Sequence, residues 1–323
     1  MIFILIEITG STDSLHYNLI FKETQLAARF TSIDHVMSRL ADVQYIAERS
    51  LATVLFLADR LEKPVFLEGE PGVGKTEVAI VLAKMFQTEL IRLQCYEGLD
   101  VNTSLYEWNY PKQLLHIRME EQGDKNREEI EQVIYSPKFL IKRPLLEAIL
   151  QPAGNTTVLL IDELDRSDEE FEAFLLEILS DFQVTIPEIG TLVAKTKPLV
   201  VITSNRTRDI HDALKRRCLY HWIEYPSFEK EYRIITTRLP GIEGRFAEQI
   251  TGFMQKLRTA DFLKKPGISE TLDWSQALLA MHKDHLDEEI VMETLGCILK
   301  YQEDIQKFKE EIWADHDQRS EFI

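Results

Sequence analysis

The chain has 323 residues, 45% of them hydrophobic, and its 37 Lys and Arg against 54 Asp and Glu leave a formal net charge of −17. That apolar fraction excludes general disorder, and 13 Gly with 11 Pro exclude a collagen-like or linker-dominated chain. The negative charge argues against tight, non-specific binding to DNA or RNA, whose phosphates would be repelled.

At ~150 residues per domain the length suggests one large domain or two smaller ones. Cys95, Cys218 and Cys297 are odd in number and far apart, with no CxxC pair. They signal neither a disulfide framework nor a zinc knuckle, and they fit a reducing, cytoplasmic setting. The opening MIFILIEI is apolar but far shorter than the ~20 residues a spanning helix needs. It lacks a basic leading region and a clear cleavage site, so it reads as a short strand or loose extension and not as a processed signal. No later apolar run is long enough to span a bilayer.

In chain order, residues 1–36 lack strong periodicity and read as a peripheral N-terminal extension. From Met37 to Leu61, the positions Met37, Leu40, Val43, Ile46, Leu51, Val54, Leu57 and Leu61 recur at helical spacing, and Pro64 ends the helix. Val65–Leu67 predicts a strand, followed by a Gly-rich turn and a helix over Thr76–Phe86. Leu90–Leu93 predicts a second strand. Tyr96–Leu140 reads as irregular, with the aromatics Tyr96, Tyr106, Trp108 and Tyr110 and a charged run over Glu120–Glu131. Pro144–Leu150 predicts a helix, Val158–Ile161 a buried parallel strand, and Phe171–Phe182 a further helix. Gln183–Lys197 alternates around Pro187 and Gly190 and predicts a hairpin. Leu199–Ile202 and Tyr220–Ile223 predict two more strands.

Strands alternating with helices predict an α/β fold with a parallel sheet over residues 37–226. After Pro226 only helical patterns remain. Phe246, Ile250, Phe253, Met254 and Leu257 form one stripe; Leu272, Leu278, Leu279 and Met281 a second; Ile290, Leu295, Ile298 and Leu299 a third. Residues 227–323 therefore read as a small all-helical domain. No internal repeat or low-complexity tract is evident.

Gly69-Glu70-Pro71-Gly72-Val73-Gly74-Lys75-Thr76 fits G-x-x-x-x-G-K-[ST]. Its glycines let the backbone curl so that successive N–H groups point at phosphate oxygens, and the next helix aims its positive end at the same place. Lys75 would reach the β- and γ-phosphates of ATP, and the Thr76 hydroxyl would ligate Mg²⁺. Val158–Ile161 delivers Asp162 and Glu163 to the C-terminal edge of a buried strand, where open α/β sheets bind ligands. Asp162 is placed to hold Mg²⁺, and Glu163 to polarise an attacking water. The adjacent Asp165-Arg166 reads as a local ion pair or as an interface element. Asn205, after the next strand and the turn Thr203-Ser204, could orient that water or touch the γ-phosphate; the alternative is an ordinary turn Asn. His282 and His285 share helical spacing without a third ligand, which suggests a solvated helix face and no metal site. No Ser-His-Asp, Cys-His or GxSxG constellation can be assembled.

The stretches LEGEPGVGKTE, LIRLQCYEGLD, LLIDELDR and ITSNRTRDIHDALKRRCLYHWI resemble the MoxR group of AAA+ ATPases, especially the branch that includes the CoxD-like proteins. The resemblance covers residues 37–310, and QCYEGLD and LKRRCLYHW are its more specific parts. It implies a P-loop AAA+ core with a helical lid, assembled as a ring, expected to be a hexamer, with each ATP between neighbours. Arg217, with Arg216, would act as an arginine finger toward the neighbour's ATP. Alternatively Lys215, Arg216 and Arg217 are a basic helix end complementing its dipole. Gln94 matches a polar position that restrains the catalytic glutamate. Many AAA+ lids carry an Arg near the start of a late helix, but Gly267–Trp274 has none. The contact would then come from Arg258, from a neighbouring chain, or be absent.

Tyr96–Leu140 and Gln183–Lys197 match the family's two inserts, where Tyr106, Trp108 and Tyr110 would either grip a protein or pack on the core. The resemblance also implies an ATPase that remodels or matures a client protein, often beside a partner with a von Willebrand factor A domain. CoxD-like relatives are tied to molybdenum enzymes of the carbon monoxide dehydrogenase type, which makes cofactor or metal insertion an expected role. The alternative is a nucleic-acid motor or loader of the same fold. The acidic balance and the lack of a basic, aromatic-interleaved stretch oppose it. A scaffold without ATPase activity is opposed by the intact Lys75, Thr76, Asp162 and Glu163.

Overall fold

The computed structural model describes residues 29–120 and 133–314. The charged run beyond Glu120 and the reading of residues 1–28 as a peripheral arm lie outside these. Nine strands are present among the described residues: β1 Val65–Gly69, β2 Leu90–Gln94, β3 Tyr106–Trp108, β4 Leu140–Lys142, β5 Val158–Asp162, β6 Gln183–Ile186, β7 Gly190–Val193, β8 Leu199–Ser204 and β9 Leu219–Ile223.

Five of them form one parallel sheet in the order β2-β5-β8-β1-β9. Every residue of β1, β5 and β8 is buried, because helices cover both faces. The pleat sends alternate residues to opposite layers. Leu159, Ile161, Val200 and Ile202 meet helices Pro144–Ile149 and Glu169–Asp181 on one face. Val65, Leu67, Leu160 and Val201 meet helices Ile33–Asp42, Arg49–Leu61 and Lys75–Phe86 on the other. The parallel arrangement puts the C-terminal ends of β1, β5 and β8 side by side.

The stripe from Met37 to Leu61 belongs to two helices, Ile33–Asp42 and Arg49–Leu61, not to one. Ser32 caps the first through His35 N–H (3.0 Å), and Gln44 breaks the run in the left-handed region at φ 60°. No Gly or Pro marks that break. The second helix closes through Glu62, also left-handed, before Pro64 is reached. Phe30 and Val36 are fully buried in this layer, so core packing begins ahead of Met37.

Tyr96–Leu140 is more regular than its sequence suggests. Asp100 caps a short helix, Val101–Ser104, and β3 pairs antiparallel with β4. Helix Tyr110–Glu120 follows. Strands of three residues leave too little pattern to read. Trp108 is buried edge-on to Tyr135, with ring centroids 5.4 Å apart, whereas Tyr110 is 61% exposed. The hairpin β6–β7 forms as expected, turning through Gly190.

After Pro226 the described residues form helices only, around Phe246, Phe253, Trp274 and Phe308. The first and third stripes are buried as read. The second is not. Helix Ile268–Ala280 turns Ile268, Thr271, Trp274, Ser275 and Leu278 inward, and leaves Met281 exposed beyond its end. Thr271 and Ser275 can be buried because their hydroxyls find acceptors, Glu231 Oε1 at 2.6 Å and Thr271 carbonyl at 2.7 Å.

Candidate nucleotide site

The loop Gly69–Thr76 leaves the end of β1 and enters helix Lys75–Phe86. Gly74 sits at φ 96°, a conformation that side chains with a Cβ avoid. A Cβ on Gly69 would lie 2.4 Å from the carbonyl oxygen of Ile223 on β9. The glycines are thus required by the curl of the loop and by its contact with the neighbouring strand. Lys75 is buried, and its Nζ donates to the carbonyls of Gly69 (2.7 Å) and Glu70 (2.8 Å). Burial lowers its pKa to about 8, against the opposing pull of Asp165, Glu70, Asp162 and Glu163. An anion entering the loop would restore the charged form.

Asp162 ends β5 beside this loop and is 2% exposed. Its Oδ1 accepts from Thr76 Oγ1 (3.0 Å) and Thr203 Oγ1 (2.6 Å), and its Oδ2 from the Arg92 guanidinium (2.5 Å). Thr203 is not in a turn; β8 runs on through Ser204. Its hydroxyl also accepts the Glu163 N–H at 2.9 Å, so one side chain ties both acids to β8.

Glu163 is left-handed at φ 55°, which is unfavourable for a residue with a Cβ and marks a constrained position. Two amides donate to its carboxylate and one guanidinium pairs with it. Gln94 Nε2 and Arg166 Nε each lie 3.1 Å from Oε2, and Asn205 Nδ2 lies 3.5 Å from Oε1. Arg166 therefore pairs with Glu163 and not with Asp165. Asp165 instead holds the loop after β8, accepting from Asn205 N–H (3.1 Å) and from Thr207 N–H (2.9 Å) and hydroxyl (2.6 Å).

Beside these groups lies a cleft of about 610 Å³ between the α/β core and the C-terminal helices. Gly72–Thr76, Asp162, Glu163, Thr203 and Asn205 line the core side. Thr76 and Asp162 offer hard oxygen donors, the type Mg²⁺ takes. No group of three His, Cys, Asp or Glu suited to a metal occurs among the described residues, so phosphate oxygens and water would have to complete such a site.

Residues 64–218 match the family model of the AAA domain (dynein-related subfamily). The core is an AAA+ P-loop fold. Solved structures similar to the chain include the RuvB Holliday junction branch migration motor of Thermotoga maritima, at 19% identity over 89% of this chain and 80% of that one, with a TM-score of 0.45. Another is a candidate ATPase from Cytophaga hutchinsonii, at 16% identity over 90% and 92% of the two chains, also with a TM-score of 0.45. An AAA+ domain of this kind implies nucleotide binding, typically with Mg²⁺, and a family that is typically ring-forming. Among the described residues no helix is long and apolar enough to cross a membrane.

Not every sequence candidate joins the AAA+ cleft. Arg216 and Arg217 are exposed, and neither lines it. Arg217 donates to the Leu176 carbonyl (2.8 Å) and to the Ser180 hydroxyl on helix Glu169–Asp181. Arg258 is not among the residues that line the cleft. It is buried, and its guanidinium binds both oxygens of Glu231 (2.5 and 2.6 Å) and the Pro266 carbonyl (2.8 Å).

The cleft also has lining residues that the sequence motifs do not mark. Gln44 and Tyr45, with Ile46 of the expected helical stripe, lie in the break between the first two helices and form one edge. Burial pushes the Tyr45 phenol far above its usual range and His221 down, so both are neutral near pH 7. Lys230, Ile234 and Arg238 come from one face of helix Phe228–Arg238. Their spacing of four was the available signal. Lys230 Nζ pairs with Glu48 (2.7 Å), and Arg238 pairs with Glu77.

Proposed function

We propose that this chain is a MoxR-type AAA+ ATPase that couples ATP hydrolysis to remodelling or maturing a client protein. The observation that carries the proposal is the convergence of Lys75, Thr76, Asp162 and Glu163 in one cleft, with Gln94 and Asn205 on the Glu163 carboxylate. Gly69–Thr76 would wrap the phosphates with backbone N–H groups. Lys75 would supply the β- and γ-phosphate charge, and Thr76 with Asp162 would hold Mg²⁺, which neutralises charge between phosphates. Glu163 would act as general base for the attacking water once its contacts to Gln94 and Arg166 loosen. Asn205 would keep that water in line. The exposed Arg217, with Arg216, would reach the ATP of the next subunit in a ring, expected to be a hexamer.

A protein client is supported by the helix Tyr110–Glu120, which exposes Tyr110, Leu114, Leu115 and Met119. The net charge of −17 points the same way, because it disfavours nucleic acid. A partner with a von Willebrand factor A domain, cofactor insertion into a carbon monoxide dehydrogenase-type enzyme, and a cytoplasmic location complete the proposal. In it the α/β domain ends near residue 226 and the helical residues beyond act as the lid. The test is capture with Glu163→Gln in ATP. We expect retained ATP and a protein that co-purifies in stoichiometric amount and leaves on nucleotide removal. Stoichiometric nucleic acid in place of protein would contradict the client assignment.

A further inference from the structure

We propose that Arg92 is a positioning residue for hydrolysis: it fixes the sense of the Gln94 amide, so that Gln94 presents its donor end to Glu163. This rests on the assignment of Glu163 as the base and goes beyond it by naming a group that acts on Glu163 through another side chain. Arg92 and Gln94 are two apart on β2, so their side chains leave the same face of the sheet. Ile91 and Leu93 turn the other way, into the apolar layer. The register sets Arg92 beside Leu160 and Gln94 beside Asp162 of β5. Both polar side chains therefore leave β2 next to the end of β5, where the two acids lie.

One terminal nitrogen of Arg92, Nη2, lies 2.5 Å from Asp162 Oδ2 and 2.6 Å from Gln94 Oε1. That nitrogen carries two hydrogens, one for each oxygen. A guanidinium offers donors only, so it can hold a carboxamide only by its oxygen. With Oε1 taken, the Gln94 NH₂ points the other way, and Nε2 lies 3.1 Å from Glu163 Oε2. Turned over, the amide would set its NH₂ against the guanidinium and its oxygen against the carboxylate, two repulsive contacts in place of two bonds. Gln94 is exposed, so water could serve either end of a free amide and would not choose between the two senses. The Arg92 side chain is itself half exposed. Its head is anchored by Asp162, which is buried and already held by Thr76 and Thr203. The buried acid thus orients the guanidinium, the guanidinium the amide, and the amide the base. Arg166 reaches the same Glu163 oxygen on its own, so Glu163 keeps a cationic partner when Arg92 is removed.

Because Arg92 acts on Glu163 through Gln94, its effect on the rate should vanish where Gln94 is gone. Single-turnover ATP hydrolysis, with ATP affinity in Mg²⁺ by calorimetry, would be measured on the full chain for wild type, Arg92→Met, Arg92→Lys, Gln94→Leu, Gln94→Glu and the double variant Arg92→Met with Gln94→Leu. Gln94 restrains Glu163 in the proposed mechanism, so Gln94→Leu should raise the rate about fivefold. Arg92→Met should match it, and the double variant should equal either single one. Arg92→Lys, whose ammonium can still hold the amide oxygen, should stay within about twofold of wild type. Gln94→Glu keeps an oxygen for Arg92 but has no hydrogen for Glu163, and should raise the rate at least as much as Gln94→Leu. A role for Arg92 confined to supporting Asp162 predicts instead that Arg92→Met weakens ATP binding and that its effect on the rate multiplies with that of Gln94→Leu. That result, or a wild-type rate for Arg92→Met or Gln94→Glu, would overturn the proposal. Hydrolysis at the wild-type rate by Glu163→Gln would refute the base assignment itself.

Discussion

The two walls of the cleft are built in opposite ways. The core wall is made of residues that are contiguous or end adjacent strands: Gly69–Thr76, then Asp162-Glu163 on β5 and Thr203 to Asn205 at the end of β8. Its geometry follows from parallel pairing, which puts strand ends in a row. The lid wall is made of Lys230, Ile234, Arg238, Ile268 and Ser269, brought over by packing of a separate apolar cluster. One wall is organised by a short motif and a sheet edge. The other depends on how the helices beyond Pro226 settle around their shared apolar cluster. The chemistry proposed for the site sits on the first wall.

The largest expected effect tests whether the lid wall is held by one buried pair. Glu231→Ala leaves Arg258 buried and unpaired, and should cost about 3–5 kcal/mol in denaturant unfolding. A loss below about 1 kcal/mol would mean the lid does not rest on that pair. On the core wall, Lys75→Ala should weaken ATP about 100-fold, read by calorimetry. Retained affinity would remove Lys75 from the phosphate site. Thr203→Val deletes the hydroxyl that joins Asp162 to Glu163 N–H, and should slow hydrolysis about tenfold with little change in ATP affinity. Equal losses in affinity and rate would place Thr203 in binding instead.

The smallest effect is a pH dependence. Lys75 has its pKa lowered to about 8 in the free protein, so it is charged below that and loses its proton above it. Phosphates favour the charged form, so binding above about pH 8 must take up a proton. ATP affinity should therefore fall as pH rises through 8, while Lys75→Arg should flatten the profile. A flat wild-type profile between pH 7 and about 9 would show that Lys75 stays charged throughout.

The same contrast explains what could be read in advance. Lys75, Thr76, Asp162 and Glu163 were legible because a phosphate loop and an acid-ended apolar strand are local patterns. The sheet was legible because buried parallel strands are continuous apolar runs. Arg238 was not, since its partner Glu77 is 161 residues away. The place of Arg258 could not be read for a related reason: nothing near it in sequence says that its charge is buried against Glu231. Arg166 could be read only as a neighbour of Asp165, because the backbone turn that aims it at Glu163 is a left-handed residue no local signal marks. The inward face of Ile268–Ala280 was misread because Thr271 and Ser275 look like surface residues until their acceptors are known.

Glu163 is where the account is most exposed. The central claim is that Glu163, held in a left-handed turn by Thr203 and faced by Gln94, Asn205 and Arg166, is the base that activates water. Single-turnover hydrolysis of bound ATP by Glu163→Gln measures this directly. The account predicts ATP affinity within twofold of wild type and a hydrolysis rate lower by at least about 100-fold. Hydrolysis at the wild-type rate would contradict it.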